Sequence, residues 1–318
     1  MSFEYFQLVQ DKMPWFFTGV FAVFGAIVGS FLNVCIFRIP RGRSVISPPS
    51  QCACGAAIPW YRNIPILAWL VLRGKAPCCG QSFSFRYPLV EALTAGLFAL
   101  CWALLPWQQA VPGVVFMALL VVLAFIDLDT MMLPDGLNVG LAMAGLAFSI
   151  ALPALHGETH HSLWLVNAIR SLCIAGTGML VGAGLVYWFR LLSSLVLGRE
   201  SMGEGDIILL GGIGAFCGWQ GTIFAMFGGA VIGTMIIIPF LVARKLIGKK
   251  MTGLERNLMA AHASYEGDEF AEDIASPSFG IAVPFGPWLA IGGAIWYLFL
   301  RIPFSHYIEH FKSVILTN

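Results

Sequence analysis

Charge is scarce in this chain. Asp, Glu, Lys and Arg make up 11% of its 318 residues, against roughly 25% in soluble proteins. With 58% hydrophobic residues and a mean hydropathy of +0.81, that scarcity excludes a soluble globular domain. The net charge of +1 says nothing about partners, and no nucleic-acid partner is expected. Acidic residues are missing altogether between Arg38 and Pro88, where Arg38, Arg41, Arg43, Arg62, Arg73, Lys75 and Arg86 all stand. By the positive-inside rule that segment faces the cytoplasm. No cleavable signal peptide is expected, because the N-terminus is acidic and mixed and the first apolar run is too long for an h-region. That first span reads as a retained anchor. There is no internal repeat, and no glycine-rich nucleotide loop follows a strand.

What the chain does have is long apolar runs. Taken at the length needed to cross a bilayer, about 17–25 residues, they predict helices over 16–37, 89–105, 111–127, 136–155, 165–189, 207–221, 222–243 and 284–302. The expected fold is an all-α polytopic membrane protein of about eight transmembrane helices, with a small cytoplasmic cysteine-containing domain between the first and second. The boundary between the sixth and seventh spans is blurred by Gly211, Gly212, Gly214, Gly218, Gly228, Gly229 and Gly233, small residues that let membrane helices approach closely. Threading from the basic first loop puts both termini outside and segments 38–88, 128–135, 190–206 and 244–283 inside. Segment 38–88 reads as a loop-rich domain, and 244–283 as a solvated linker that begins basic and turns acidic.

This topology gives several acids one depth. Asp127, Asp135 and Asp206 all fall at the cytoplasmic edge of the membrane, in Asp127-Leu-Asp129-Thr-Met-Met-Leu-Pro134-Asp135 and Gly203-Glu204-Gly205-Asp206. An ionisable group at such a place is a functional candidate. Hydrolysing a peptide bond without a metal or a nucleophilic side chain needs one carboxylate to activate water and a second acid to donate a proton. Two adjacent carboxylates do not both ionise easily, so they can share that proton. Asp127 ends a span, where an acid opposes the helix dipole, so capping explains it poorly. Asp206 opens a span, where the dipole favours its charged form, and Gly203 and Gly205 would let the backbone turn there. Asp135 is expected to cap the fourth helix after Pro134. Asp129 is either solvent-facing or a supporting acid, and Glu91, at the entry to the second span, could support a cofactor or a substrate's charged terminus.

The eight cysteines form two groups. Cys35, Cys101, Cys173 and Cys217 sit singly in apolar spans and read as packing residues. Cys52, Cys54, Cys78 and Cys79 cluster in a reducing compartment, which disfavours a disulfide and favours a metal. Four thiolates there would form a structural Zn²⁺ site, crosslinking a small domain. His156, His160 and His161 on the outside read as an ordinary polar loop rather than a metal site.

The chain resembles the type IV prepilin peptidases, bifunctional leader peptidases and N-methyltransferases of the GxGD aspartic protease class. The resemblance rests on Gly29-Ser-Phe-Leu-Asn33-Val-Cys-Ile-Phe-Arg38-Ile-Pro40, Asn63-Ile-Pro65, Arg86-Tyr-Pro88-Leu-Val-Glu91, Asp127 with Leu-Pro-Asp135, Gly203-Glu-Gly-Asp206 and Pro284-Phe-Gly-Pro287. It implies that Asp127 and Asp206 are the catalytic pair and that a short basic leader is cut from prepilins or type II secretion pseudopilins at the inner membrane. It also implies that the new N-terminus is methylated with S-adenosylmethionine. Residues 1–110 would then be the methylation-associated part and 111–318 the membrane-embedded peptidase. The family's usual two Cys-x-x-Cys pairs are replaced by Cys52-Ala-Cys54 and Cys78-Cys79, with Gln51 and Ala76 in the first slots. A four-cysteine zinc site, a shifted ligand set and no metal therefore all stay open. The basic residues of 38–88 could attract the cofactor's carboxylate, and they equally serve topology and lipid headgroups. Two other readings remain: a peptidase without methyltransferase activity, and a transporter whose acids carry protons or cations.

Overall fold

The structure, a computed structural model, describes residues 12–52, 54–159, 161–198, 202–247, 284–304 and 307. His160 and residues 248–283 of the long loop lie outside the described residues. The described chain is helical: α1 Pro14–Arg38, α2 Leu67–Leu72, α3 Arg86–Leu104, α4 Trp107–Thr130, α5 Asp135–Ala151, α6 Trp164–Leu197, α7 Glu204–Ile247 and α8 Gly286–Ile295. A π-helical turn, Trp296–Leu300, continues α8. Among the described residues there are no strands, only isolated antiparallel bridges joining Gln51 to Ala57 and Lys75 to Ser82. A bilayer offers no water to bond free backbone groups, so apolar segments of this length cross it as helices.

Six helices are long and apolar enough to cross a membrane, and α5 is a shorter apolar helix of 17 residues. This is a multi-pass membrane protein. The expected sixth and seventh spans merge in α7, which breaks at Gly218 with φ 69° and ψ 178°. The neighbours of α7 show that the chain reverses there. Cys217 lies against Gly293, Gly221 against Trp296, and Gly229 back against Trp288. The second half of α7 thus runs antiparallel to α8, down to the depth at which α8 begins. The expected count of eight is met only loosely, by six helices of spanning length with the shorter α5 and the break in α7, whose turn comes three residues before the expected division.

α4 occupies the centre. Its Phe116 stacks on Phe216 of α7 at 4.6 Å between centroids and lies 5.2 Å from the Tyr297 ring beyond α8. α1 lies along α3, with Phe21 stacked on Trp102 at 4.2 Å. α6 packs along α7 through Gly178 and Gly214, each so close to the other's carbonyl that a Cβ on either would collide with it. Large apolar side chains such as Val23, Phe24 and Leu180 point outward, as lipid-facing helix surfaces require.

Candidate active site

Asp127 lies in the last turn of α4, and its side chain is buried. The chain leaves the helix at Met131, which takes a left-handed conformation at φ 52° and donates back to the Asp127 carbonyl. An acid at a helix C-terminus faces the negative end of that helix. The first turn of α8 resolves the conflict: the Gly286 N–H donates to Asp127 Oδ2 at 2.9 Å. Asp127 therefore sits at the positive N-terminus of a different helix, whose free amide bonds its carboxylate.

Asp206 lies one turn into α7 and is also buried. Its carboxylate accepts the backbone N–H of Gly203. The helix opens at Glu204, so this is the returning half of a capping box, an acid at the third position reaching back to the N-cap amide. Capping and proximity to the end of α4 coexist: Gly205, next to Asp206, lies against Leu133 in the turn that follows the helix carrying Asp127. Both carboxylates thus occupy helix N-termini, brought together from the ends of α4 and α7.

The neighbouring residues divide. Gly203 and Gly205 do not take positive φ, so neither supplies the turn expected of it. Gly205 is needed for contact instead, since a Cβ there would meet Leu133 Cβ at 2.8 Å. Asp135 does not cap α5: Pro134 occupies the N-cap position, and Asp135 is the exposed first residue of the helix with no side-chain cap. Its carboxylate is one position too late to reach the amides a cap would bond. Asp129 is half-buried and paired with Arg86. Arg86 also donates to the Phe125 carbonyl at 3.1 Å and stacks its guanidinium over the Phe125 ring at 5.0 Å, fastening α3 to the turn that carries Asp127. Glu91 faces the other way, toward α1 and the cysteine domain, where it accepts the Ile66 N–H at 2.7 Å.

Two contributors escaped the sequence reading. Asn138, fully buried in α5, donates to the Gly205 carbonyl at 3.2 Å and so braces the first turn of α7, which presents Asp206. A lone amide in an apolar span was the available signal. Gly286 was visible only within Pro284-Phe-Gly-Pro287, with nothing to say which acid it meets.

The four cysteines of the 38–88 domain converge. Cys52 and Cys79 Sγ lie 3.6 Å apart, Cys54 and Cys78 3.4 Å, and Cys78 and Cys79 3.9 Å, with all four sulfurs within 4.8 Å of one another. A tetrahedron of thiolates at about 2.3 Å from Zn²⁺ has edges of about 3.8 Å, so the donor set fits that ion despite the altered spacing. Each pair sits on a tight turn closed by a positive-φ glycine, Gly55 at 84° and Gly80 at 71°. These knuckles bring Cys78 and Cys79 to one centre although they are adjacent in sequence. The Cys54 amide and the Cys78 thiol pull Cys52 down to about 7, whereas hydrogen bonds to Cys52 and Cys54 push Cys78 up to about 12. Without a metal the cluster divides into unlike thiols. Burial and the Arg301 charge push His156 down to about 3, and its ring nitrogen hydrogen-bonds Ser149.

Residues 23–105 match the bacterial peptidase A24 N-terminal domain, and residues 114–238 match the type IV leader peptidase family. Curated relatives of the chain carry the name prepilin leader peptidase/N-methyltransferase. The protein from Myxococcus xanthus is 38% identical over 245 residues, covering 73% of this chain and 68% of that protein. That from Klebsiella pneumoniae is 40% identical over 62% of this chain and 83% of its own length. That from Pectobacterium carotovorum is 33% identical over 88% and 91%. No solved structure matches the chain.

Proposed function

The chain belongs to the type IV leader peptidase family, and from that membership we propose that Asp127 and Asp206 cleave a short leader from prepilins or pseudopilins and that the new N-terminus is then methylated. One observation carries the assignment: two buried carboxylates, each bonded by a backbone amide at a helix N-terminus, stand at the same end of the helix bundle, where Gly205 beside Asp206 packs on Leu133 just beyond the helix of Asp127. The pair shares one proton. The ionised member takes a proton from water as it attacks the scissile carbonyl, and the protonated member gives its proton to the carbonyl oxygen. As the tetrahedral intermediate collapses, a proton passes to the departing amine. The Gly286 amide holds Asp127 and the Asn138 amide holds the first turn of α7, which carries Asp206, so little reorganisation accompanies the step.

The site faces the cytoplasm at the bacterial inner membrane, where a basic leader stays in water while the pilin's apolar helix remains in lipid. S-adenosylmethionine supplies the methyl group for the amine that cleavage frees. Cys52, Cys54, Cys78 and Cys79 would hold Zn²⁺ as a structural crosslink of the 38–88 domain. Residues 1–110 serve methylation and 111–318 cleavage. Membership in a protease family removes the support for the transporter alternative.

Asp127→Asn and Asp206→Asn, each purified from membranes and incubated with a prepilin, should yield no mature pilin while inserting at wild-type levels. Cleavage by either variant at more than a few per cent of the wild-type rate would overturn the pair. Methylation is decided separately, by supplying an already processed pilin with labelled S-adenosylmethionine.

A further inference from the structure

A cleft of ≈ 310 Å³ opens between the cytoplasmic half of α1 and the loops of the cysteine domain. Ser30, Phe31 and Arg38 line it from α1, and Pro48, Ser50 and Asn63 from the loops. Its volume lies at the lower end of small-molecule sites, about 300–1,000 Å³.

One buried acid holds both walls. Glu91 bonds the Ser30 side chain on one side and the Ile66 N–H, at 2.7 Å, on the other. Ile66 sits at φ 63° and ψ −51° with the Leu67 N–H donating to the Pro65 carbonyl. This is a γ-turn of the positive-φ kind, strained for a β-branched residue. The turn carries Asn63 and Pro65 into the cleft. Contact between α1 and α3 is equally tight here, since a Cβ on Gly29 would lie 2.8 Å from Glu91 Cα. A strained turn pinned by a hidden carboxylate marks a shaped site rather than a seam between elements.

The lining chemistry is mixed in a specific way. Phe31 and Pro48 offer flat apolar surface for a nucleobase, while Ser50 and Asn63 offer donors and acceptors for a ribose. Arg38, whose guanidinium donates to the Ser44 carbonyl at 3.0 Å, offers its remaining N–H groups to a carboxylate. Ser30 and Arg38 are two turns apart on α1, about 12 Å, the reach of an extended nucleoside joined to an amino acid. We infer that this cleft, walled by Ser30, Phe31, Arg38 and Asn63 and held open by Glu91, binds the adenosyl methyl donor. The assignment rests on the methylation reading above. α3 connects the cleft to the aspartates, carrying Glu91 at one face and Arg86, the partner of Asp129, at its start.

The full chain in lipid nanodiscs can be photolabelled by ultraviolet irradiation with radioactive S-adenosylmethionine and the labelled peptides mapped. Saturable label should fall on residues 27–50 or 63–65 and be competed by S-adenosylhomocysteine. Arg38→Gln and Asn63→Ala should each raise the half-saturating concentration about tenfold, as loss of a charged or bidentate contact does. Label confined to other segments, or unchanged saturation in both variants, overturns the cleft and leaves methylation standing. Competition by a processed-pilin peptide but not by S-adenosylhomocysteine reassigns the cleft to peptide and also overturns the inference. Absence of saturable label on the wild-type chain overturns the cleft, while methylation is read separately from methyl transfer to an already processed pilin. The wild-type map needs no variant to fold.

Discussion

Gly286→Ala is the sharpest probe of how the acid pair is held. A Cβ at this position would stand 2.6 Å from Asp127 Oδ2 and 3.1 Å from its Cγ. Ordinary contact begins near 3.4 Å, so the carboxylate or the start of α8 must yield by about 0.8 Å, and a misplacement of about 1 Å can cost 10²-fold in rate. The same movement lengthens the 2.9 Å bond from the Gly286 amide, a bond to a charged group worth about 1.5–3 kcal/mol. The two effects describe one displacement and do not add. The expected result is a fall in kcat of about 10–10²-fold with KM changed by less than about threefold, because the substrate is gripped elsewhere. Steady-state cleavage of a prepilin in nanodiscs, followed by mass spectrometry, reads both constants. Gly96→Ala is the control, since a Cβ there meets nothing within 4 Å. A Gly286→Ala enzyme within twofold of wild type, alongside an inactive Asp127→Asn, would refute the claim that this amide positions the acid.

Other perturbations separate the supporting contacts. Asn138→Leu removes the bond to the Gly205 carbonyl and should lower kcat about 5–30-fold, a loss of about 1–2 kcal/mol; an unaltered kcat would show that the first turn of α7 holds itself. Arg86→Gln should cost more than Asp129→Asn, because Arg86 also bonds the Phe125 carbonyl. The half-buried, still solvent-screened ion pair alone is worth about 0.2–1 kcal/mol, so a double-mutant cycle on kcat should give coupling in that range, and additive effects would dissolve the pair. Purified chain should contain one zinc per molecule, lost in Cys54→Ser and in Cys78→Ser alike. Equal metal content in either variant would exclude the four-sulfur site. Asp135→Asn should retain at least a third of wild-type activity, since the residue is exposed and caps nothing; complete loss would place it in the catalytic machinery.

Some of this was legible in the chain alone. A bilayer imposes its demand residue by residue, through apolar length, scarcity of charge and the side on which basic residues collect. Those are local properties, and they predict the helical membrane class and where its long apolar segments lie. Tertiary structure decided what meets what. That Asp127 at the wrong end of its own helix is rescued by Gly286, 159 residues later, depends on α8 docking against α4. That Cys78 and Cys79 can face one centre depends on two glycine turns acting together. The role given to Asp135 failed on a single position of register, with Pro134 standing where the cap should be. Hydropathy sets which segments enter the membrane and how deep their ends lie. Contacts between helices are set by side-chain shape across positions far apart in sequence, and no local pattern encodes them.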